Sequence, residues 1–177
     1  NNKNKIKKRI FTLEEMIVIR GYGAISALGH NRDMVFENYR SGYTGFKVKD
    51  AIPVAPLRDE VSQLLDDLIQ EKKIYKGLDR SVLMAIYASR KAVADASWIN
   101  EKNVGINIGS SRGATTVLEN YITAFNAKVT IPPITSPVTT LGNISSWVAQ
   151  DLNLEGIEIS HSVTCSTGLQ AIANAFA

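Results

Sequence analysis

The chain has 177 residues, 45% hydrophobic and 21% charged, the balance of a globular domain rather than a disordered or membrane-spanning one. No window approaches the run of about 18 apolar residues that a membrane span needs, and the opening residues lack the apolar stretch of a secretory leader. The net charge of +3 resides in residues 1–16, where Lys3, Lys5, Lys7, Lys8 and Arg9 outnumber Glu14 and Glu15. The rest is neutral, and with only Phe11 as an aromatic platform the tail is not expected to hold nucleic acid or a membrane.

Cys165 is the single cysteine, which excludes an internal disulfide and fits a reducing, cytoplasmic setting. Residues 1–15 read as a basic tail, disordered or vector-derived, ahead of a domain over 16–177. Met16 is a plausible natural start.

In chain order, "IVIRGYG" (17–23) reads as a short buried strand ending in a glycine turn. "NRDMVFENYRSG" (31–42) reads as a helix capped by Asn31 and stopped by Gly42. Residues 43–57, with Pro53 and Pro56, read as a loop. Leu57, Val61, Leu64, Leu65, Leu68 and Ile69 recur at helical spacing between charges, an amphipathic helix. After Gly77, Val82, Ala85, Ile86, Ser89, Val93 and Ala96 form a second helical stripe. "NVGINIGSS" alternates as a strand ending at Gly109, and Val117, Leu118, Tyr121, Ile122 and Phe125 mark another helix. Ser136-Pro137 predicts a helix start, cap then proline, with the helix running to about Leu152. "IEISHSV" (157–163) alternates again, and Leu169, Ile172, Ala173 and Phe176 share one face of a last helix. Strands separated by helices, without internal repeats, predict an α/β fold with a mixed sheet packed between helices.

Cys165 falls at the expected amino end of that last helix. Unpaired backbone amides and the macrodipole there favour an anion, hence a thiolate nucleophile, and the same amides can hold an oxyanion formed on an attacked carbonyl. Ser166, Thr167 and Gly168 are small enough to let a substrate approach. One cysteine and two separated histidines do not make a metal-ligand set. The alternative is a buried cysteine acting as a small hydrophobe. From Cys165 to Ala177 no residue is charged. A helix without a charged face is normally buried on most sides, and the preceding residues would have to cover it unaided.

"VTCSTGLQAIANA" resembles the active-site segment of β-ketoacyl-[acyl carrier protein] synthases, the condensing enzymes of fatty acid and polyketide synthesis. "IVIRGYGAISALGHNRDMVFENYRSGYTGF" is similar to their amino-terminal strand, turn and helix. "LDRSVLMAIYASRKAVADA" resembles the helix that follows, and "VGINIGSSRGA" their glycine-rich turn, so four motifs keep the family's order from Ile17 to Ala177. The resemblance implies a thiolase-like half of a two-half fold working as a homodimer or ketosynthase heterodimer. It implies acyltransferase activity without a cofactor: an acyl thioester loads the cysteine, and malonyl-[acyl carrier protein] condenses with it after losing carbon dioxide. Only Cys165 carries over as catalytic. Thr164, Ser166, Thr167 and Arg112 are candidates for the substrate pocket or an interface. The family's two catalytic histidines and a lysine belong to a carboxy-terminal half, expected to be absent here, so this piece alone is expected to be inactive in condensation.

Arg112 departs from the small or apolar residue that relatives often have there, as an arginine pairing across an interface or one restricting the acyl pocket. His161 lies four residues before Cys165; extended chain would put it roughly 13 Å away, too far for direct partnership. It is expected to have a structural or interface role, and His30, the last residue of "SALGH", to be a loop or capping histidine. Two rivals remain. One is a non-catalytic ketosynthase-like partner of the chain-length-factor type, although such members typically lack the cysteine. The other is a serine hydrolase, since "GSSRG" (109–113) fits a nucleophile elbow with Ser111, followed by Asp151 and His161. A generic α/β binding module is the remaining possibility.

Overall fold

Asn31 accepts a hydrogen bond from the Met34 amide at 2.9 Å and so starts helix α1, Arg32–Arg40. The structure is a computed structural model describing residues 17–98 and 100–176. The basic tail expected over 1–15 lies outside the described residues. Helix α1 ends, as its sequence predicts, at Ser41 and at Gly42 with φ +72°.

Residues 17–23 form no strand. Gly21 and Gly23 instead run so close to a later helix that a Cβ on either would collide with the carbonyls of Ala92 and Ala88. The Tyr22 amide donates to Asp95 Oδ2 at 3.1 Å. The segment therefore spends its glycines on close approach to a helix, not on a ladder. Residues 43–57, expected as loop, contain an antiparallel hairpin, β1 Lys47–Lys49 and β2 Ile52–Val54. Its turn, Asp50-Ala51, has φ +50° and +63°, the mirror-image geometry that matches strand twist. Pro53 is tolerated because a two-stranded ribbon leaves each strand an outer edge.

Helix α2 (Asp59–Glu71) is the amphipathic helix expected, burying Val61, Leu65 and Leu68. A 3-10 turn, Lys73–Gly77, leads into α3 (Arg80–Asp95), which buries Val82, Leu83, Ile86 and Tyr87. Helix α4 covers Thr115–Asn126. The single helix expected from Ser136 is two, α5 Thr135–Thr139 and α6 Asn143–Leu152, and α5 has no side-chain cap at its start. Thr140 is extended, and buried Asn143 donates its side-chain amide to the Val138 carbonyl at 2.6 Å. That bond satisfies a helix-end carbonyl and gives the chain an alternative to continuing the helix.

Strands β3 (Ile106–Gly109) and β4 (Glu158–His161) pair in parallel, Ile106 opposite Glu158 and Gly109 opposite His161. The mixed sheet is thus realised, among the described residues, as two separate two-stranded ribbons, one antiparallel and one parallel. Alternation puts Ile106 in the core, and Ser160 Oγ lies 2.7 Å from Ser145 Oγ of α6. The opposite face, Asn107, Gly109 and His161, is left to the last helix, α7 (Thr167–Phe176). The hydrophobic core lies among α2, α3, α5, α6 and β3, built from Leu65, Val82, Ile86, Val138, Ile144 and Trp147.

Asp151 on α6 closes this bundle. Its side chain is 1% exposed, and its oxygens accept from Arg90 Nε and Nη2 at 2.7 Å each and from the Tyr75 hydroxyl. Lys72 lies 3.3 Å away, and Arg90 also reaches Glu71 at 2.8 Å. Burial alone would raise the Asp151 carboxyl; the hydrogen bonds from Arg90 and Tyr75 and the Arg90 and Lys72 charges outweigh it and hold it below the ordinary carboxylate value. Hydrogen bonding to Asp151 raises the Arg90 guanidinium in turn. One carboxylate thereby ties α6 to α3 and, through Tyr75 and Lys72, to the chain leaving α2.

Because the folded-state value is depressed, the stability Asp151 contributes is complete above its unfolded value of about 4 and is lost as pH falls through the folded one. Asp151→Asn should cost about 2 kcal/mol at pH 7, below the usual range for a broken buried pair because Arg90 is 33% exposed. Urea midpoints of the two proteins should converge as pH falls through the depressed folded-state value of Asp151; a pH-independent gap would contradict this role.

Candidate active site

The chain leaves β4 at His161 and reverses within four residues. Thr164–Ser166 form a 3-10 turn that runs directly into α7. Thr164 has φ +57°, a left-handed conformation rare for a β-branched residue, and it kinks the chain immediately before Cys165. The hydrogen bonds that hold the kink come from the next turn: the Val163 amide donates to Thr167 Oγ1 at 3.0 Å, and that hydroxyl donates to the Thr164 carbonyl. Ser166 Oγ donates to the Val163 carbonyl at 3.1 Å. Cys165 is a free, exposed cysteine at the crest of this turn. It sits at the amino end of α7 as expected, one turn ahead of the α-helical residues.

The turn rests on the end of β3. A Cβ at Gly109 would overlap the Thr167 carbonyl and methyl group, so only glycine lets α7 seat there. The loop after Gly109 closes the other side. The Ser110 amide donates to the His161 carbonyl at 3.1 Å, and Ser162 Oγ donates to the Ser111 carbonyl at 3.1 Å. Ser110 Oγ accepts from the Gly113 amide at 2.9 Å, and Gly113 has φ +64°.

Asp79, which sequence reasoning did not single out, anchors that loop from behind. It is 5% exposed; Oδ1 accepts from the Ser81 amide and hydroxyl at 2.9 and 2.8 Å, and Oδ2 accepts from the Val117 amide at 3.1 Å. One carboxylate therefore caps α3 and the first turn of α4 together. The α3 cap was legible as aspartate at a helix start. The reach to α4 spans 38 residues and leaves no local signal.

The five sequence-derived site residues separate into three settings. Cys165, Thr164 and Ser166 are exposed on the turn. Thr167 is 3% exposed, and its hydroxyl is used within the turn rather than offered outward. Arg112 is exposed on the adjoining loop; its carbonyl accepts from Thr115 Oγ1, and its guanidinium makes no ion pair among the described residues. His30 Nδ1 lies 2.9 Å from the Tyr87 hydroxyl, with the rings edge to face, away from this turn's contacts. His161 is nearer the turn than an extended chain implied, because the reversal brings its Nε2 to 3.2 Å from the Thr167 carbonyl.

The hydrolase arrangement does not assemble. Both Asp151 oxygens are engaged by Arg90, His161 Nε2 faces a backbone carbonyl, and neither contacts Ser111. Among the described residues no group of three or more His, Cys, Asp or Glu side chains could hold a metal, and no helix is long and apolar enough to cross a membrane.

Residues 14–177 match the family model described as the β-ketoacyl synthase, N-terminal domain. The chain belongs to the β-ketoacyl synthase family. It is 30% identical over 171 residues to 3-oxoacyl-[acyl-carrier-protein] synthase 2 of Staphylococcus aureus (strain COL), covering 90% of this chain and 41% of that protein. It is 25% identical to the chloroplastic 3-oxoacyl-[acyl-carrier-protein] synthase II of Arabidopsis thaliana, covering 96% and 34%. A β-ketoacyl synthase from Burkholderia phymatum STM815 superposes with a TM-score of 0.74 at 21% identity, covering 90% of this chain and 42% of that one. A type II polyketide ketosynthase in complex with its acyl-carrier protein gives 0.68 at 17%, covering 89% and 46%; the ishigamide ketosynthase/chain length factor gives 0.62 at 18%, covering 89% and 44%. The fold is that of the ketosynthase amino-terminal half, and the chain spans about two fifths of the length of the curated relatives it matches.

In this ketosynthase domain the Gly109–Thr167 contact is testable. Gly109→Ala should lift the first turn of α7, lower stability by about 2 kcal/mol as an overpacked contact, and slow alkylation of Cys165 by iodoacetamide. Unchanged stability and alkylation would show that the turn does not rest on β3.

Proposed function

We propose that this chain is the nucleophile-bearing half of a 3-oxoacyl-[acyl carrier protein] synthase and that Cys165 accepts the acyl group. The observation that carries the reading is the exposed Cys165 thiol on a kinked turn opening the uncharged helix α7. Family membership supports it, as do relatives whose names state this activity.

In the first step the Cys165 sulfur attacks the carbonyl of an acyl thioester. A carbon–sulfur bond to Cys165 forms, the bond to the carrier breaks, and the carrier leaves as its thiol with the proton Cys165 gave up. In this reading the backbone amide of Cys165 supplies one donor for the transient oxyanion. In the second step a malonyl thioester loses carbon dioxide, and the resulting carbanion attacks the acyl–Cys165 carbonyl, regenerating the thiolate and releasing a 3-oxoacyl thioester.

Decarboxylation needs donors that stabilise the carbanion, and neither histidine of this chain is placed for it. His30 is engaged with Tyr87 and His161 with the Thr167 carbonyl. We assign those donors to a carboxy-terminal half outside residues 1–177. The domain proper is residues 16–177. Its partners in this reading are acyl carrier protein and a second ketosynthase subunit, identical or related, in a cytoplasmic setting that suits an unpaired cysteine. Thr164, Ser166 and Arg112 border the acyl entrance or the subunit interface, and no cofactor takes part.

Leu169, Ile172 and Phe176 on α7 are 72%, 67% and 65% exposed, an uncovered apolar face on an uncharged helix. The 177-residue chain should therefore self-associate at micromolar concentration, and Leu169→Ser with Phe176→Ser should raise its monomer fraction in analytical ultracentrifugation; a wild-type chain that stays monomeric would count against this.

Acyl acceptance from acyl-[acyl carrier protein] should vanish in Cys165→Ala and persist in Ser111→Ala. The reverse would install the hydrolase reading. Supplied with malonyl-[acyl carrier protein], the 177-residue chain should form no 3-oxoacyl product, and sustained condensation would refute the assignment of the carbanion donors.

A further inference from the structure

Resting on the reading of Cys165 as nucleophile, we propose that His161 is a positioning residue for it, acting through the carbonyl of Thr167. The ring links the end of β4 to the first residue of α7. His161 ends β4, opposite Gly109 across the parallel ladder, and its Nε2 lies 3.2 Å from the Thr167 carbonyl oxygen. A carbonyl can only accept, so the hydrogen sits on Nε2 and the imidazole donates. The other nitrogen, Nδ1, is buried without a partner among the described residues. Of the two ring nitrogens, Nε2 is therefore the one that makes a contact.

Nε2 holds the residue on which the nucleophile turn depends. Thr167 supplies two of the hydrogen bonds that brace the left-handed kink at Thr164: its hydroxyl accepts from the Val163 amide and donates to the Thr164 carbonyl. Its backbone lies against Gly109 with no room to move toward the ribbon. Gly109 stops Thr167 from approaching further, and His161 stops it from drifting away. Cys165 lies between the kink and Thr167, so the direction of its sulfur follows from this clamp. The sulfur is not a partner of the imidazole, and His161 takes no proton from it.

The test uses the 177-residue chain and two probes: iodoacetamide, which reports how the thiol is presented, and an acyl-N-acetylcysteamine thioester, which reports acyl transfer. His161→Leu removes both nitrogens at similar volume, and His161→Gln keeps an amide donor with the reach to Thr167. His161→Leu should slow both reactions about tenfold, the scale of one positioning hydrogen bond, with its urea unfolding midpoint unchanged or raised because the orphaned Nδ1 is gone. His161→Gln should recover most of the rate. Wild-type rates in His161→Leu would overturn the proposal. So would a fall in the unfolding midpoint that tracks the loss of reactivity and is not rescued by glutamine, the mark of a merely structural ring. Should His161→Leu fail to fold, His161→Asn replaces it, since its shorter side chain falls short of Thr167. Asparagine slower than glutamine then supports the clamp, and equal rates overturn it. If alkylation depends on His161 while no acyl group is ever accepted, the acyl-transfer reading fails and the positioning role stands.

Discussion

The absence of a side chain at Gly109 is the constraint from which the site follows. Only there can the first α-helical carbonyl of α7 sit against the end of β3. The contact forces the chain to reverse between His161 and Thr167 instead of continuing along the ribbon, and the reversal throws Thr164 into a left-handed conformation. A strained backbone of this kind persists only where its surroundings over-determine it. Here Thr167 is buried, its hydroxyl bonds two neighbouring backbone groups, and the loop at Ser110 and Ser111 is bonded to His161 and Ser162. The result is a cysteine lifted out of the surface on a turn with little freedom to relax.

Behind this site the molecule divides its charges between two tasks. Asp151 joins α6 to Arg90 of α3 and to Tyr75 and Lys72 beside α2, and so fixes the helical core on which the parallel ribbon lies. Asp79 joins the amino ends of α3 and α4, and thereby fixes the loop at Ser110–Gly113 that flanks the Cys165 turn. Both carboxylates are buried, and each is satisfied by several donors, the condition under which a buried charge is tolerable. Neither touches the Cys165 sulfur. They set the distance between the ribbon, the loop and α7.

The helices were legible wherever one face is apolar or a cap is local. Asn31, the stripe from Val61 to Leu68 and that from Val82 to Ile86 all appear as their spacing predicts. Strands β3 and β4 were legible from alternation, and so was the placing of Cys165 at their junction with α7. The hairpin was hidden by Pro53, and the break between α5 and α6 by a Ser-Pro signal that resembles a helix start but lies within the first turn of a short helix. The apolar run at 17–23 mimicked a strand, although its conformation is decided by contact with α3. Those outcomes depend on partners far along the chain, as does the reach of Asp79 to Val117. The closeness of His161 to Thr167 was invisible for another reason: distance along an extended strand is a poor guide once a turn intervenes.

The central claim is that the fold selects Cys165 for acyl transfer by holding it on this turn. The most direct measurement is peptide mapping by mass spectrometry after brief exposure to a small acyl thioester, of the folded chain and of the chain unfolded in urea. The account predicts a single acyl group on Cys165 in the folded chain, attached faster than to the same cysteine when unfolded. Acylation spread over lysines, or a Cys165 that reacts more slowly folded than unfolded, would contradict it.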